Sequence, residues 1–193
     1  SNSTDLAETL LVLKTAGIEN LESFDWVEAP ETHSFERAIG LLEELGALDT
    51  KSGELTQMGE RMAAFPCHPR HARMLIEADR YGAVSSVCLA VAISQGKSLL
   101  LPTRDKRVEK ERENIFGEET SSDLFAEIQA YHYAEGYRFQ VDTCRALAIH
   151  AGSARQAGRT YLQLMQLAKS QGLGTQQTDE DGIGFRKSIL TGF

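Results

Sequence analysis

The sequence predicts a mainly α chain: a small helical unit carrying one short β-hairpin, followed by a helical bundle. Three observations predict this. Apolar residues recur at spacings of three and four through most of the 193 residues, the period of an amphipathic helix. One stretch breaks that period: Ala47-Leu48-Asp49 and Glu54-Leu55-Thr56 flank a polar turn containing Ser52-Gly53, which reads as a hairpin. From Pro69 onward the pattern is helical almost throughout.

Ser1-Asn2-Ser3 reads as a cloning remnant and carries no weight for the fold. Asp5 with Glu8 forms a capping pair ahead of Leu6, Leu10 and Leu13, which follow at helical spacing. Lys14 sits near the end of that helix, and Gly17 supplies a left-handed stop. A short aromatic link, Leu21 to Val27, runs up to Pro30. Thr32 is placed to cap a second helix with the stripe Phe35, Ala38, Ile39, Leu42 and Leu45, ended by Gly46. After the hairpin, Thr56 caps a helix running to about Phe65. Helix, helix, hairpin and helix within residues 4–67 is the layout of a winged-helix unit. Pro66 and Pro69 bracket its boundary.

Pro69 suits a first helical position, and Ala72, Leu75 and Ile76 form the stripe of a helix reaching Gly82. Ala83 to Ile93 is apolar nearly all round, as expected of a helix at the centre of a bundle. Gly96 to Thr103 is a link. Arg104 to Asn114 alternates in charge sign, which suits an exposed helix or arm. Ser121 or Ser122 caps a helix through Leu124, Phe125, Ile128 and Tyr131. Another spans Phe139 to Ala148, and a long one runs from Ser153 to Gly172. The bundle therefore occupies 68–173, and 174–193 begins as a polar, glycine-rich loop.

Composition narrows the function. The net charge of −8 is uneven: residues 1–67 hold four Lys/Arg against thirteen Asp/Glu, a net of −9. Residues 68–117 are net +3 and residues 118–193 net −2. The acidic opening repels phosphates, whereas the middle tolerates them. No apolar run is long enough to cross a bilayer, and no secretory leader pattern opens the chain. Three widely spaced cysteines, Cys67, Cys88 and Cys144, suit free thiols in a reducing, cytoplasmic setting.

Beyond composition, the ordered residues resemble a known family. Thr4-Asp5-Leu6, Leu13-Lys14, Gly17-Ile18, Phe24-Asp25-Trp26 and Pro30 are similar to the segment that follows the two motor domains of DEAH-box helicases. Closer still are Ala38, Leu41-Leu42, Leu45-Gly46-Ala47-Leu48-Asp49, Gly53, Leu55-Thr56, Gly59 and Met62. The likeness continues through Pro66, Pro69, Met74-Leu75, Ser122-Asp123-Leu124, Gln163-Leu164 and Arg186-Lys187 to Gly192-Phe193. His68-Pro69-Arg70, Ala72-Arg73 and Ser121-Ser122-Asp123 look most like the bacterial branch. The resemblance implies a winged-helix domain, a helical "ratchet" bundle and an OB-fold beyond it. It further implies an accessory role beside motor domains that hold ATP and magnesium, and a channel for single-stranded RNA.

No G-x-x-x-x-G-K-[ST] loop and no D-E-x-H sequence occurs, so no catalytic residue and no cofactor is expected in this segment. Cys67, His68 and His71 are close in sequence, but Pro69 interrupts them and no fourth ligand stands nearby, so no metal site is expected. The second helix carries Glu36, Glu43 and Glu44 with only Arg37, which argues against major-groove reading. Candidate nucleic-acid contacts therefore fall in the bundle. Arg155 and Arg159, four apart, share a helix face. They either neutralise backbone phosphates, as the resemblance implies, or line a solvated face. Tyr161 stands where the family often has another arginine; it either stacks on a base or packs in the core. Arg104, Lys106 and Arg107, with Lys110, are further candidates, or part of a salt-bridged arm. The expected partners are single-stranded RNA and the parent's motor and OB-fold domains. The rival reading is a stand-alone winged-helix DNA-binding regulator or protein-interaction scaffold.

Overall fold

The computed structural model describes residues 3–117 and 123–176. The side chain of Asp5, the serine caps at 121 and 122, and everything from residue 177 lie outside the described residues. Helix α1 (Ser3–Thr15) buries Ala7, Leu10 and Leu11. It stops at Gly17, whose φ is +95°, with Ile18 N–H donating to the Leu13 carbonyl at 3.1 Å. The same motif closes three further helical segments at Gly46, Gly82 and Gly172, all at positive φ. In the link after α1, the Trp26 indole N–H donates to the Leu21 carbonyl at 3.1 Å and the ring stands edge-on to Phe24.

Helix α2 (Thr32–Glu44) packs along α1 and buries Ala38 and Leu42. Thr32 does not cap it. Glu31 occupies the cap position without a side-chain bond, and the helix starts one residue earlier than a Thr32 cap would allow. The expected hairpin shrinks to one antiparallel bridge, Leu48 to Leu55. The reason lies in the turn and the flanking helices. The Asp49 carboxylate accepts from the backbone N–H groups of Lys51 and Ser52 at 2.9 and 2.8 Å and closes the turn beside the bridge, while the end of α2 and the helix that starts at Gln57 leave no chain for a longer ladder on the other side. Those bonds also hold the Asp49 carboxyl below its ordinary pKa.

Thr56 links this turn to helix α3 (Gln57–Met62). Its hydroxyl accepts from Gly59 N–H at 3.0 Å and donates to the Gly46 carbonyl. Gly59 is obligatory here: a Cβ would lie 2.4 Å from the Ala47 carbonyl oxygen. The helix ends at Met62 rather than near Phe65.

Helix α4 (Pro69–Ala78) begins on Pro69 as expected, with His68 Nδ1 accepting from Arg70 N–H at 3.0 Å. Helix α5 (Val84–Gln95) is the bundle's axis: every residue from Val84 to Ile93 except Ser85 is buried. It packs against α4, α7 (Asp123–Gly136) and, most extensively, α9 (Ala151–Ser170). Each fully buried Val, Leu or Ile there contributes about 1.5–3 kcal/mol relative to exposure, which is why this apolar segment takes the centre.

Helix α6 (Lys106–Phe116) lies two residues later than the sequence suggests, capped by Asp105, which accepts from Arg107 N–H at 2.9 Å. Helix α8 (Val141–Ala146) is shorter than the predicted Phe139 to Ala148 because Arg138, Phe139 and Ala148 all sit at positive φ. The link at 96–103 is pinned rather than loose. Leu100 bridges Ile149, His150 N–H donates to the Leu99 carbonyl at 2.8 Å, and Glu127 accepts from Leu99 N–H at 2.8 Å. Buried side chains form one cluster running from Ala7 to Leu173, with Gln95 donating across to the Pro66 carbonyl at 3.1 Å.

Candidate nucleic-acid interface

A cleft of about 650 Å³ opens where α5, α7 and α9 meet. Its position follows from small residues. Ala154, Ala157 and Gly158 are buried on α9 and let that helix close on its neighbours. A Cβ on Gly158 would come within 3.2 Å of the Tyr131 hydroxyl and 3.6 Å of the Phe139 ring. Close approach puts the aromatic side chains of α7 and the following turn directly beneath the arginines of α9.

Three of the six sequence candidates meet on this cleft. Arg155 and Arg159 stand exposed along one side, one helical turn apart. The Arg155 guanidinium carbon lies 5.6 Å from the centre of the Phe139 ring, a cation–π distance. Arg159 is steadied by Gln156, whose Oε1 accepts from Nε and Nη2 at 3.1 and 2.6 Å. Tyr161 is half-buried, its hydroxyl 2.7 Å from Ser85 Oγ on α5. It therefore joins α9 to α5 while still lining the cleft.

The floor was not legible as a site in the sequence. Tyr131 is buried; burial, with Glu135 and Tyr161 nearby, pushes its hydroxyl up to about 12, so it stays protonated at neutral pH. Phe139 packs 6.0 Å from Tyr131, centroid to centroid. The turn that places it is strained, with Arg138 at φ +54° and Phe139 at φ +59°. Left-handed backbone costs a non-glycine residue roughly 1–2 kcal/mol, and here Phe139 N–H is compensated by the Ala134 carbonyl at 2.7 Å. Leu162 stands at the rim with 62% of its surface exposed, and Glu135 adds one carboxylate.

The other three candidates lie apart from this cleft. Arg104 precedes α6, and Lys106 and Arg107 occupy its first turn, all exposed. Cations there face the positive end of the helix dipole, which weakens the start of the helix. The same charge run hides a residue of a different kind. Arg112 is half-buried and donates to three carbonyls, those of Leu147, Leu101 and Ala148, at 2.7 to 2.8 Å. Burial lowers its pKa and Glu109 partly offsets that, and the residue clamps α6 to the end of α8.

Cys67, His68 and His71 perform separate structural tasks. The Cys67 thiol is buried and pushed up to about 12, and His68 caps α4. Burial, then His68 and Arg70, holds His71 down to about 4. Cys67, Cys88 and Cys144 are free and buried. Among the described residues, no group of three or more His, Cys, Asp or Glu side chains converges as a metal site would require. Nor is any helix among them long and apolar enough to cross a membrane. The cleft's chemistry is that of binding: arginine donors on the rim over an aromatic and apolar floor.

Residues 38–67 match the winged-helix part of the helicase-associated (HA2) domain family. Along 98% of its length the chain is 26% identical to the ATP-dependent RNA helicase HrpA of Escherichia coli (strain K12). It spans 15% of that protein's length. The resemblance to the C-terminal region of DEAH-box helicases therefore holds along nearly the whole chain.

Proposed function

We propose that this chain is a non-catalytic accessory segment of an ATP-dependent DEAH-box RNA helicase, coupling the motor domains and lining the single-strand channel. Residues 4–67 act as the winged-helix domain, with the bridged turn at Leu48 and Leu55 as its reduced wing, and 68–173 as the ratchet bundle. ATP and magnesium belong to motor domains elsewhere in the parent, which works in the cytoplasm. The observation that carries this reading is the meeting of Arg155, Arg159 and Tyr161 on one cleft, within a chain similar throughout to an RNA helicase. Arginines spaced along one groove neutralise successive phosphates without reading sequence.

The winged-helix unit is assigned a mechanical role. The exposed side of α2 presents Glu36 and Glu44 with Arg37, so a duplex would be repelled more than held. That composition gives the stand-alone regulator nothing to bind with. Purified chain incubated with ATP should release no phosphate. In fluorescence anisotropy it should bind a single-stranded RNA weakly and with strong salt dependence. Phosphate release by the chain itself, or no RNA binding at low salt, overturns the proposal.

A further inference from the structure

The geometry points to a base-stacking subsite within the α5/α7/α9 cleft, in which one nucleobase lodges beside Leu162 and Phe139 while Arg155 and Arg159 hold its flanking phosphates. This rests on the strand-contact reading above and goes beyond it, since phosphate contact alone needs no floor. Four observations carry it. The cleft, at about 650 Å³, has room for a base and its sugar, whereas a groove that only tracks a backbone can be shallow. Leu162 is a leucine with 62% of its surface in solvent at the rim of the cleft, a position that no packing among the described residues explains. Phe139 is held on the cleft wall by a turn with two consecutive left-handed residues, a cost the fold could have avoided with glycine. Glu135, exposed, also lines the cleft, so a phosphate is disfavoured on its side, while its oxygens can accept from a base amino group.

Charge complementarity then separates the two ends of the occupant. The polyanionic part meets the exposed arginines, and the flat neutral part meets Leu162 and Phe139. The Arg155 guanidinium already lies over the Phe139 ring at 5.6 Å, so its side chain is held near the cleft before a strand arrives and less order is lost on binding. The Tyr131 hydroxyl, protonated at neutral pH, adds a neutral hydrogen-bonding group at the floor.

The test compares two strands on the intact chain by fluorescence anisotropy at low salt. One is a twelve-nucleotide oligoadenylate; the other has the same phosphates but abasic sugars. The base-bearing strand should bind about tenfold more tightly, the weight of one stacked base. Leu162→Ala should erase that difference, and because Leu162 is exposed the variant should fold normally, checked by its circular dichroism and melting curve. The double variant Arg155→Ala with Arg159→Ala should weaken both strands alike. Equal affinity for the two strands overturns the subsite and leaves strand contact standing. Failure of both strands to bind overturns both. If instead Leu162→Ala abolishes a concentration-dependent dimer in sedimentation, the cleft is an interface between copies of the chain and the subsite is overturned.

Discussion

Residues 3–67 and the α5/α7/α9 cleft are both built by bringing backbones close at a glycine, but they put the proximity to opposite uses. At Gly59 the helix touches a carbonyl: a Cβ there would lie 2.4 Å from the Ala47 oxygen, an atom that cannot move without unmaking the turn. At Gly158 the nearest atom is the Tyr131 hydroxyl, 3.2 Å from the imagined Cβ, at the end of a side chain that can tilt. The first contact locks a joint whose surroundings carry a net charge of −9. The second shapes the floor of a cleft rimmed by arginine. The difference teaches that the acidic unit is specified by its backbone, whereas the cleft is specified by its side chains.

The largest expected effect comes from breaking the joint. Gly59→Val should cost about 3 kcal/mol or more, since neither the carbonyl nor the bridged turn can yield. Urea denaturation should show the drop in midpoint, while Gly158→Ala should shift it by less than about 1 kcal/mol. Comparable losses for both would erase the contrast drawn above. Arg112→Ala should follow, at about 2 kcal/mol, because three backbone carbonyls lose a charged donor. Arg112→Lys should recover only part of this, having no planar fork to span them.

Charge should matter in one region and not in the other. The pair Arg155→Ala and Arg159→Ala should reduce single-strand affinity about tenfold and lower the salt slope by about one to two units. Removing Arg104, Lys106 and Arg107 together should change affinity by less than about threefold, screened and away from the cleft as they are. The reverse ranking would move the strand to α6.

The smallest effect sharpens the joint between the units. Burial holds His71 near 4 against an ordinary 6.5, so the unfolded chain binds the extra proton between those values. The stability this residue contributes is complete above pH 6.5 and is lost as the pH falls toward 4. Its partial exposure limits the loss to about 1 kcal/mol. Urea midpoints at pH 7 and pH 5 should fall further for the native chain than for His71→Gln.

Much of this was readable from residues alone, for local reasons. Gly17, Gly46, Gly82 and Gly172 announced their helix ends, Thr56 and Pro69 announced two starts, and unbroken apolarity put α5 at the centre. Arg155 and Arg159 were readable as a pair because four residues make one turn. What was hidden depends on partners distant in sequence. Tyr161 meets Ser85 across 76 positions, and Arg112 meets Leu147 across 35, neither of which any local pattern signals. Phe139 reads as a helix start, since nothing in Tyr137-Arg138-Phe139 advertises left-handed backbone. The two hairpin runs read as strands because Leu48 and Leu55 alternate properly, but α2 ends at Glu44 and α3 begins at Gln57, so only one bridge fits between helices and turn.

The buried cluster that runs from Ala7 to Leu173 without interruption has a mechanical corollary. Densely packed interiors hardly compress, so under the coupling role proposed above a load placed on α1 and α2 would not dissipate in the seam at Pro66. It would reach Arg155 and Phe139 as movement of a packed body. The throw at the arginine rim would then be set by the shape of that body rather than by softness anywhere between.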